Sequence, residues 1–226
     1  MIILTGASGG IGKTILPLLT ELDSVIAIYK TNEIDEVLEN VESFKLDLNS
    51  EDEIKNFIKT IGPKLKNITI IHGASISNDS LAINCKTEDW DKTMNCNLRA
   101  DFILTRSLLS TMVNDKWGRI IHLSSTASVI GVPGTIAYST SKAGLIGMSK
   151  VISKEYGRLG ITSNVLMLGY FNTGLFDTLS EEHKKDIIKS IPIKRLGEPN
   201  NIVNGIEYLM KSDFVNGSIL NIDGGM

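Results

Sequence analysis

Ile2-Ile3-Leu4-Thr5 runs without a polar break into Gly6-Ala7-Ser8-Gly9-Gly10-Ile11-Gly12, and a segment of helical period follows over 12–22. An apolar, β-branched run delivered straight into glycines reads as a buried strand, a tight turn and the start of a helix. Glycine serves where backbone must turn sharply and come close to a ligand. The helix N-terminus beyond such a turn offers free N–H groups and positive dipole to a pyrophosphate. At the first βα turn, Gly6, Ser8, Gly9, Gly10, Ile11 and Gly12 are therefore expected to cradle a dinucleotide rather than only to turn the chain.

Similar apolar runs recur at 25–29, 44–46, 68–72, 119–123, 162–168 and 219–222, nearly continuous in hydrophobicity rather than alternating. Runs of that kind suit strands covered on both faces of a parallel sheet. Between them lie segments of helical character at 51–61, 90–112, 137–159 and 200–210. The alternation predicts a Rossmann-type, doubly wound α/β fold: a parallel sheet of about seven strands, helices on both faces, one domain over 1–226.

Composition narrows the function classes. The chain has 226 residues, 42% hydrophobic and 22% charged, with a net charge of -3 and no basic cluster, which argues against nucleic acid as a partner. No apolar run approaches the length of a membrane span, and the N-terminal run lacks a basic leader and a cleavage pattern, so no signal peptide is expected. Cys85 and Cys96 are the only cysteines. They form neither a disulfide framework nor a metal site, and reduced thiols in a cytoplasmic protein are expected.

The chemistry is expected at Tyr138-Ser139-Thr140-Ser141-Lys142, early in the 137–159 segment. Residues four apart share a helix face, so the Tyr138 phenol and the Lys142 ammonium would meet in one local site. A nearby positive charge favours phenolate and draws the tyrosine toward the range where it can exchange a proton with an alcohol or carbonyl oxygen. The spacing alone is also that of an ordinary exposed helical pair, so its meaning rests on its company.

That company resembles the short-chain dehydrogenase/reductase family along essentially the whole chain. Thr5 followed by Gly-x-x-x-Gly-x-Gly at Gly6, Gly10 and Gly12 is the family's glycine turn, and Leu46-Asp47-Leu48 falls where the family sets an aspartate on the adenine ring. His72-Gly73-Ala74-Ser75 stands where Asn-Asn-Ala-Gly is usual, keeping the small residues that pass the cofactor but not the asparagines that brace the sheet. His72 reads as a packed structural histidine in preference to a proton relay. Asn97, Ser125, Tyr138 and Lys142 match the catalytic tetrad, Ser125 standing thirteen residues before Tyr138. Leu168-Gly169-Tyr170-Phe171-Asn172-Thr173 is similar to the segment that receives the nicotinamide, with leucine in place of proline. Arg195-Leu196-Gly197-Glu198-Pro199 and Asn221-Ile222-Asp223-Gly224-Gly225 also match, and a mobile substrate lid is expected around 174–192.

The resemblance implies hydride transfer between a nicotinamide and a carbonyl or secondary alcohol. Ser125 would donate to the substrate oxygen, Tyr138 would act as acid or base, Lys142 would bind the nicotinamide ribose and lower the phenol, and Asn97 would hold a water. Gly73, Ala74, Gly169, Phe171, Thr173, Asp47 and Leu48 would line the cofactor. No carboxylate ends the second strand; Tyr29 and Lys30 stand there, which favours NADP(H) over NAD(H). The likeness is greatest to 3-oxoacyl-[acyl-carrier-protein] reductases, with Lys116 and Arg158 offered to an acidic carrier. A reductase or dehydrogenase of a sugar, steroid or other small secondary alcohol is the alternative, and a silent dinucleotide sensor a remote one. The 90–112 and 137–159 segments match the family's assembly helices, so a homo-oligomer, a tetramer before a dimer, is expected.

Overall fold

The computed structural model describes residues 1–34, 38–173, 176 and 180–226. Its strands are β1 (Ile2–Thr5), β2 (Val25–Tyr29), β3 (Val41–Lys45), β4 (Thr69–His72), β5 (Gly118–Ser125), β6 (Ile161–Leu168) and β7 (Ile219–Ile222). All pair in parallel, in the order β3-β2-β1-β4-β5-β6-β7. The helices are α1 (Gly10–Leu19), α2 (Glu51–Ile61), α3 (Thr87–Met94), α4 (Ala100–Asp115), α5 (Ala127–Ile130), α6 (Ile136–Tyr156), α7 (Glu181–Ser190) and α8 (Pro199–Lys211).

The expected doubly wound sheet is therefore present, with two shifts. The third strand is Val41–Lys45 rather than 44–46, starting three residues earlier and ending directly before Leu46-Asp47-Leu48. The segment expected as one helix over 90–112 is two helices, α3 and α4, joined by a π turn at Asn95–Arg99.

Side chains alternate across a strand, so each central strand feeds two cores. Ile2, Leu4, Ile71, Ile121, Leu123 and Leu166 pack beneath α1 and α8, against Ile15, Leu19, Ile202 and Ile206. Ile3, Ile26, Ile70 and Ile120 pack on the other face beneath α2, α4 and α6, against Ile54, Leu104, Leu108 and Ile152. Fully burying one such side chain stabilises by about 1.5–3 kcal/mol. The two apolar layers thus fix the strands and leave their carboxyl edge to be built from loops. The chain winds to β2 and β3 on one side of β1 and to β4 through β7 on the other. The crevice between β1 and β4 is the switch point at which such sheets take their ligands.

Candidate active site

At that switch point the glycine turn is held by contacts that exclude a side chain. Gly6 has φ +68°, and a Cβ there would lie 2.7 Å from the Ala74 Cα; one on Gly12 would lie 2.1 Å from the Gly6 carbonyl oxygen. The Gly9 N–H donates to the Gly6 carbonyl at 2.9 Å and closes the turn. The Thr5 hydroxyl oxygen accepts from the Gly73 and Ala74 N–H groups at 3.0 and 3.1 Å, which presses the turn against the segment leaving β4. Gly9 caps α1 with no side-chain bond to its first turn, and Gly9 and Gly10 are exposed. A helix start left open at a strand's carboxyl end fits a pyrophosphate. Ser8 and Ile11, half-buried, flank it.

Where the adenosine end is expected, the structure brings together two of the expected residues. Lys30 Nζ lies 2.8 Å from Asp47 Oδ2, the lysine side chain 59% exposed and the aspartate 33%. Partial burial works to raise the Asp47 carboxyl, but the Lys30 ammonium and the Asn49 N–H hold it below its ordinary value. Lys30 is thus a shared cation rather than a solitary one. Tyr29 ends β2 half-buried, and Leu48 is buried beside this end.

The four residues matched to the tetrad come from three elements and meet at one place. Ser125 is the last residue of β5, Tyr138 and Lys142 rise from α6, and Asn97 sits within the π turn. The Asn97 side chain clasps Ile76, accepting its N–H and donating to its carbonyl, both at 2.8 Å, and donates again to Ser141 Oγ at 3.1 Å. Both of its amide donors are thereby used. Lys142 is 3% exposed and donates to the Leu123 carbonyl at 2.8 Å. Its Nζ stands 5.8 Å from the centre of the Tyr138 ring. Burial raises the Tyr138 phenol above its usual value, the Ser125 hydroxyl opposes this, and Asp79 adds to it. The expected net lowering of the phenol is thus absent: desolvation outweighs what lowers it. Ser124, on the strand face opposite to Ser125, donates to the Lys142 carbonyl at 3.0 Å and ties α6 to β5.

Where the nicotinamide end is expected, a Cβ on Gly169 would lie 2.8 Å from the Asp223 Cα, so this glycine is required by close chain approach. Thr173 turns back on the Phe171 carbonyl at 2.8 Å. The Phe171 side chain is only 5% exposed and packs where a Gly197 Cβ would meet it at 2.4 Å. Its ring belongs to the core. Of the expected lid, Gly174, Leu175, Asp177, Thr178 and Leu179 lie outside the described residues. Its remainder carries α7, capped by the Ser180 hydroxyl, which accepts from the His183 N–H.

Lys116 and Arg158 precede β5 and β6 by two and three residues, at the amino edge of the sheet, whereas Ser125 and Leu168 end the same strands. Eight-residue strands separate those edges by about 25 Å, so this pair does not flank the site. His72 is packed, as expected: it is 1% exposed, with Nε2 2.8 Å from Thr105 Oγ1. Asp101 was not singled out from the sequence, and the bracing bonds of Thr5, Ser124 and Ser141 were not foreseen there, although a hydroxyl within or beside a matched position could have flagged them. No group of His, Cys, Asp or Glu among the described residues could hold a metal ion, and no described helix is long and apolar enough to cross a membrane.

Comparison with known proteins agrees with this geometry. A family model described as short chain dehydrogenase matches residues 1–184. A 3-oxoacyl-[acyl-carrier-protein] reductase of Rickettsia felis is 36% identical over 232 residues, covering 99% of this chain and 95% of the relative. One from Thermotoga maritima is 33% identical over 236 residues, covering 99% and 96%. A solved structure of a putative gluconate dehydrogenase from Agrobacterium tumefaciens superposes with a TM-score of 0.93 at 24% identity, over 100% of this chain and 95% of that one, and shares the fold.

Proposed function

We propose, from the premise that this chain belongs to the short-chain dehydrogenase/reductase family and is an NAD(P)-dependent oxidoreductase, that it reduces 3-oxoacyl groups presented on an acyl-carrier protein, using NADPH. The observation that carries the substrate class is the rim of the catalytic edge. Leu81 (59% exposed), Val129 (67%), Ile130 (54%) and Ile136 (41%) are apolar side chains open to solvent there. A bridge between Ser80 and Thr135 joins the two segments that bear them. Such a rim suits an acyl chain, whereas a polyhydroxylated substrate calls for polar groups in those places. The names of the relatives point the same way.

The dinucleotide, when bound, supplies hydride chemistry. The open start of α1 would bind its pyrophosphate, with Gly73, Ala74, Gly169, Thr173 and the Phe171 main chain along the groove. Lys142 would hold the nicotinamide ribose. Ser125 would donate to the ketone oxygen while Tyr138 gives up its phenolic proton to it. A phenol raised by burial keeps that proton at neutral pH, which suits the reductive direction. Asn97, its side chain spent on Ile76 and Ser141, would place any relaying water through its main chain.

NADP(H) is favoured over NAD(H) because β2 ends on Tyr29 with no carboxylate to accept from ribose hydroxyls, and Lys30 is at hand for a 2′-phosphate. The phosphate would have to share Lys30 with Asp47. A homo-oligomer, a tetramer or a dimer, is supported by exposed Phe102 on α4 and Val151 on α6. A cytoplasmic location is supported by Cys85 and Cys96, both free thiols, and residues 174–192 are read as the lid. The test is turnover of an acetoacetyl-carrier protein, a sugar acid and a small secondary alcohol with each dinucleotide. The carrier-bound ketone with NADPH should be fastest, and turnover confined to the sugar acid would overturn the reading.

A further inference from the structure

The sheet face beneath α4 and α6 carries a buried polar row that the reaction above does not use. His72 and His122 are register partners on β4 and β5, their rings stacked with centroids 4.9 Å apart and planes 6° apart. Asp101 of α4 spans both, with Oδ1 3.2 Å from His72 Nδ1 and Oδ2 3.8 Å from His122 Nδ1. None of the three is more than 2% exposed. The row continues to Thr105 on one side and, through Ser163 Oγ 3.4 Å from His122 Nε2, to Ser149 on the other. Asp101 Oδ1 and the two Nδ1 atoms are close but misaligned, and make no well-formed hydrogen bond.

A carboxylate buried this way is costly unless another charge compensates it. Lys142 has the complementary problem. It is buried, its hydrogen bond goes to the carbonyl of Leu123, the residue after His122, and it forms no ion pair among the described residues. Asp101 approaches His122 from α4 and Lys142 approaches from α6. The other titratable groups facing this region are Cys96 in the π turn and Tyr138, beyond which lies Asp79.

We propose that Asp101 is a positioning residue of the active site: its carboxylate, held between His72 and His122, is the buried counter-charge that keeps Lys142 an ammonium where it meets the ribose. The charge balance is consistent with this. Burial pushes the Lys142 amine down, and Asp101 is the first group to draw it back up. Burial also works to raise the Asp101 carboxyl, but the two histidines overcome it and hold it at about 2. Burial lowers His122 to about 4, so its ring does not neutralise the carboxylate near neutrality.

The inference rests on the placing of Lys142 at the ribose, and its test separates the two. The parent chain, Asp101→Asn, Asp101→Glu and Thr105→Val are titrated with NADPH from neutral to alkaline pH. Affinity should fall as Lys142 loses its proton. Asp101→Asn should move that fall about one pH unit lower, Asp101→Glu, which keeps the charge, should move it back, and Thr105→Val should lower thermal stability without moving it. An unmoved fall in Asp101→Asn, or an equal shift in Thr105→Val, overturns the assignment. Coupling between two sites is reciprocal, so Lys142→Met tests it from the other end should the Asp101 variants not fold. Followed by NMR, the titration of the Asp101 carboxyl should then rise, and no rise overturns the proposal. Failure of the parent chain to bind NADPH or NADH at any pH would instead remove the functional reading, with the NMR comparison still deciding the coupling.

Discussion

Lys142 and Lys30 stand at opposite ends of one groove and are held in opposite ways. Lys142 is 3% exposed, bonded to a strand carbonyl and hemmed in by α6 and β5. Lys30 has a side chain 59% exposed and shares its charge with Asp47 across two surface loops. Burial makes a charge costly, strongly felt by its neighbours and little screened. Exposure makes it cheap, screened and replaceable. On the proposed reading, the chemical end of the groove is set by the core beneath it and the selective end by the surface.

The strongest test of the buried end is Tyr138→Phe. Turnover should fall by roughly 10²–10⁴-fold, the scale of a general acid, with NADPH binding and the thermal transition nearly unchanged. Near-normal turnover would remove Tyr138 from the mechanism. Next comes the turn between the two ends. Gly12→Ala places a Cβ 2.1 Å from a carbonyl oxygen and should cost about 1–3 kcal/mol of stability in urea and abolish NADPH binding. Gly147→Ala, in α6 with nothing near its Cβ, should stabilise by about 0.5–1 kcal/mol.

A third prediction concerns pH. His122 is lowered from 6.5 to about 4, so between those values the unfolded chain binds the extra proton, and stability must fall as pH drops through that window. Asp101, lowered from 3.8 to about 2, extends the loss below the window. Urea unfolding at steps from neutral to acid pH should show the slope, and His122→Asn should flatten it; an unchanged slope would detach His122 from the effect.

The exposed end should answer most weakly. Lys30→Ala should weaken NADPH by about threefold to tenfold, less at high salt, and leave NADH alone. Asp47→Asn should tighten NADPH by releasing Lys30, and loss of NADPH affinity in that variant would show that Asp47 is needed for another contact. Tyr29→Asp should reverse the preference by accepting from ribose hydroxyls and repelling the phosphate.

The buried end was also the more legible from sequence. Thr5 through Gly12, Ser125, Tyr138 and Lys142 are fixed by strand and helix periods, and a residue ending a strand declares which edge it stands on. The same rule, applied to Lys116 and Arg158, would have put them at the amino edge, since each only just precedes a strand. The Lys30–Asp47 pair was not legible, because it depends on the register Tyr29 to Lys45 between β2 and β3, which neither strand carries alone. Asp101 was hidden for another reason. The π turn shifts the helical phase at Asn95–Arg99, so a pattern read continuously over 90–112 misassigns the faces beyond it.

That π turn also makes the segment a spliced rod. One surplus residue in a helix rotates everything after it by about 100° relative to everything before. It lets α3 press Thr93 inward while α4 aims Asp101, Leu104 and Leu108 at the sheet. Deleting Cys96 would restore a straight helix of ordinary geometry and good propensity, and would do so by turning Asn97 away from Ile76 or swinging Asp101 off the two histidines. A genetic change that looks like a repair of the helix is therefore a dislocation of the site, and single-residue indels here move function along a rotary coordinate that no point substitution can reach.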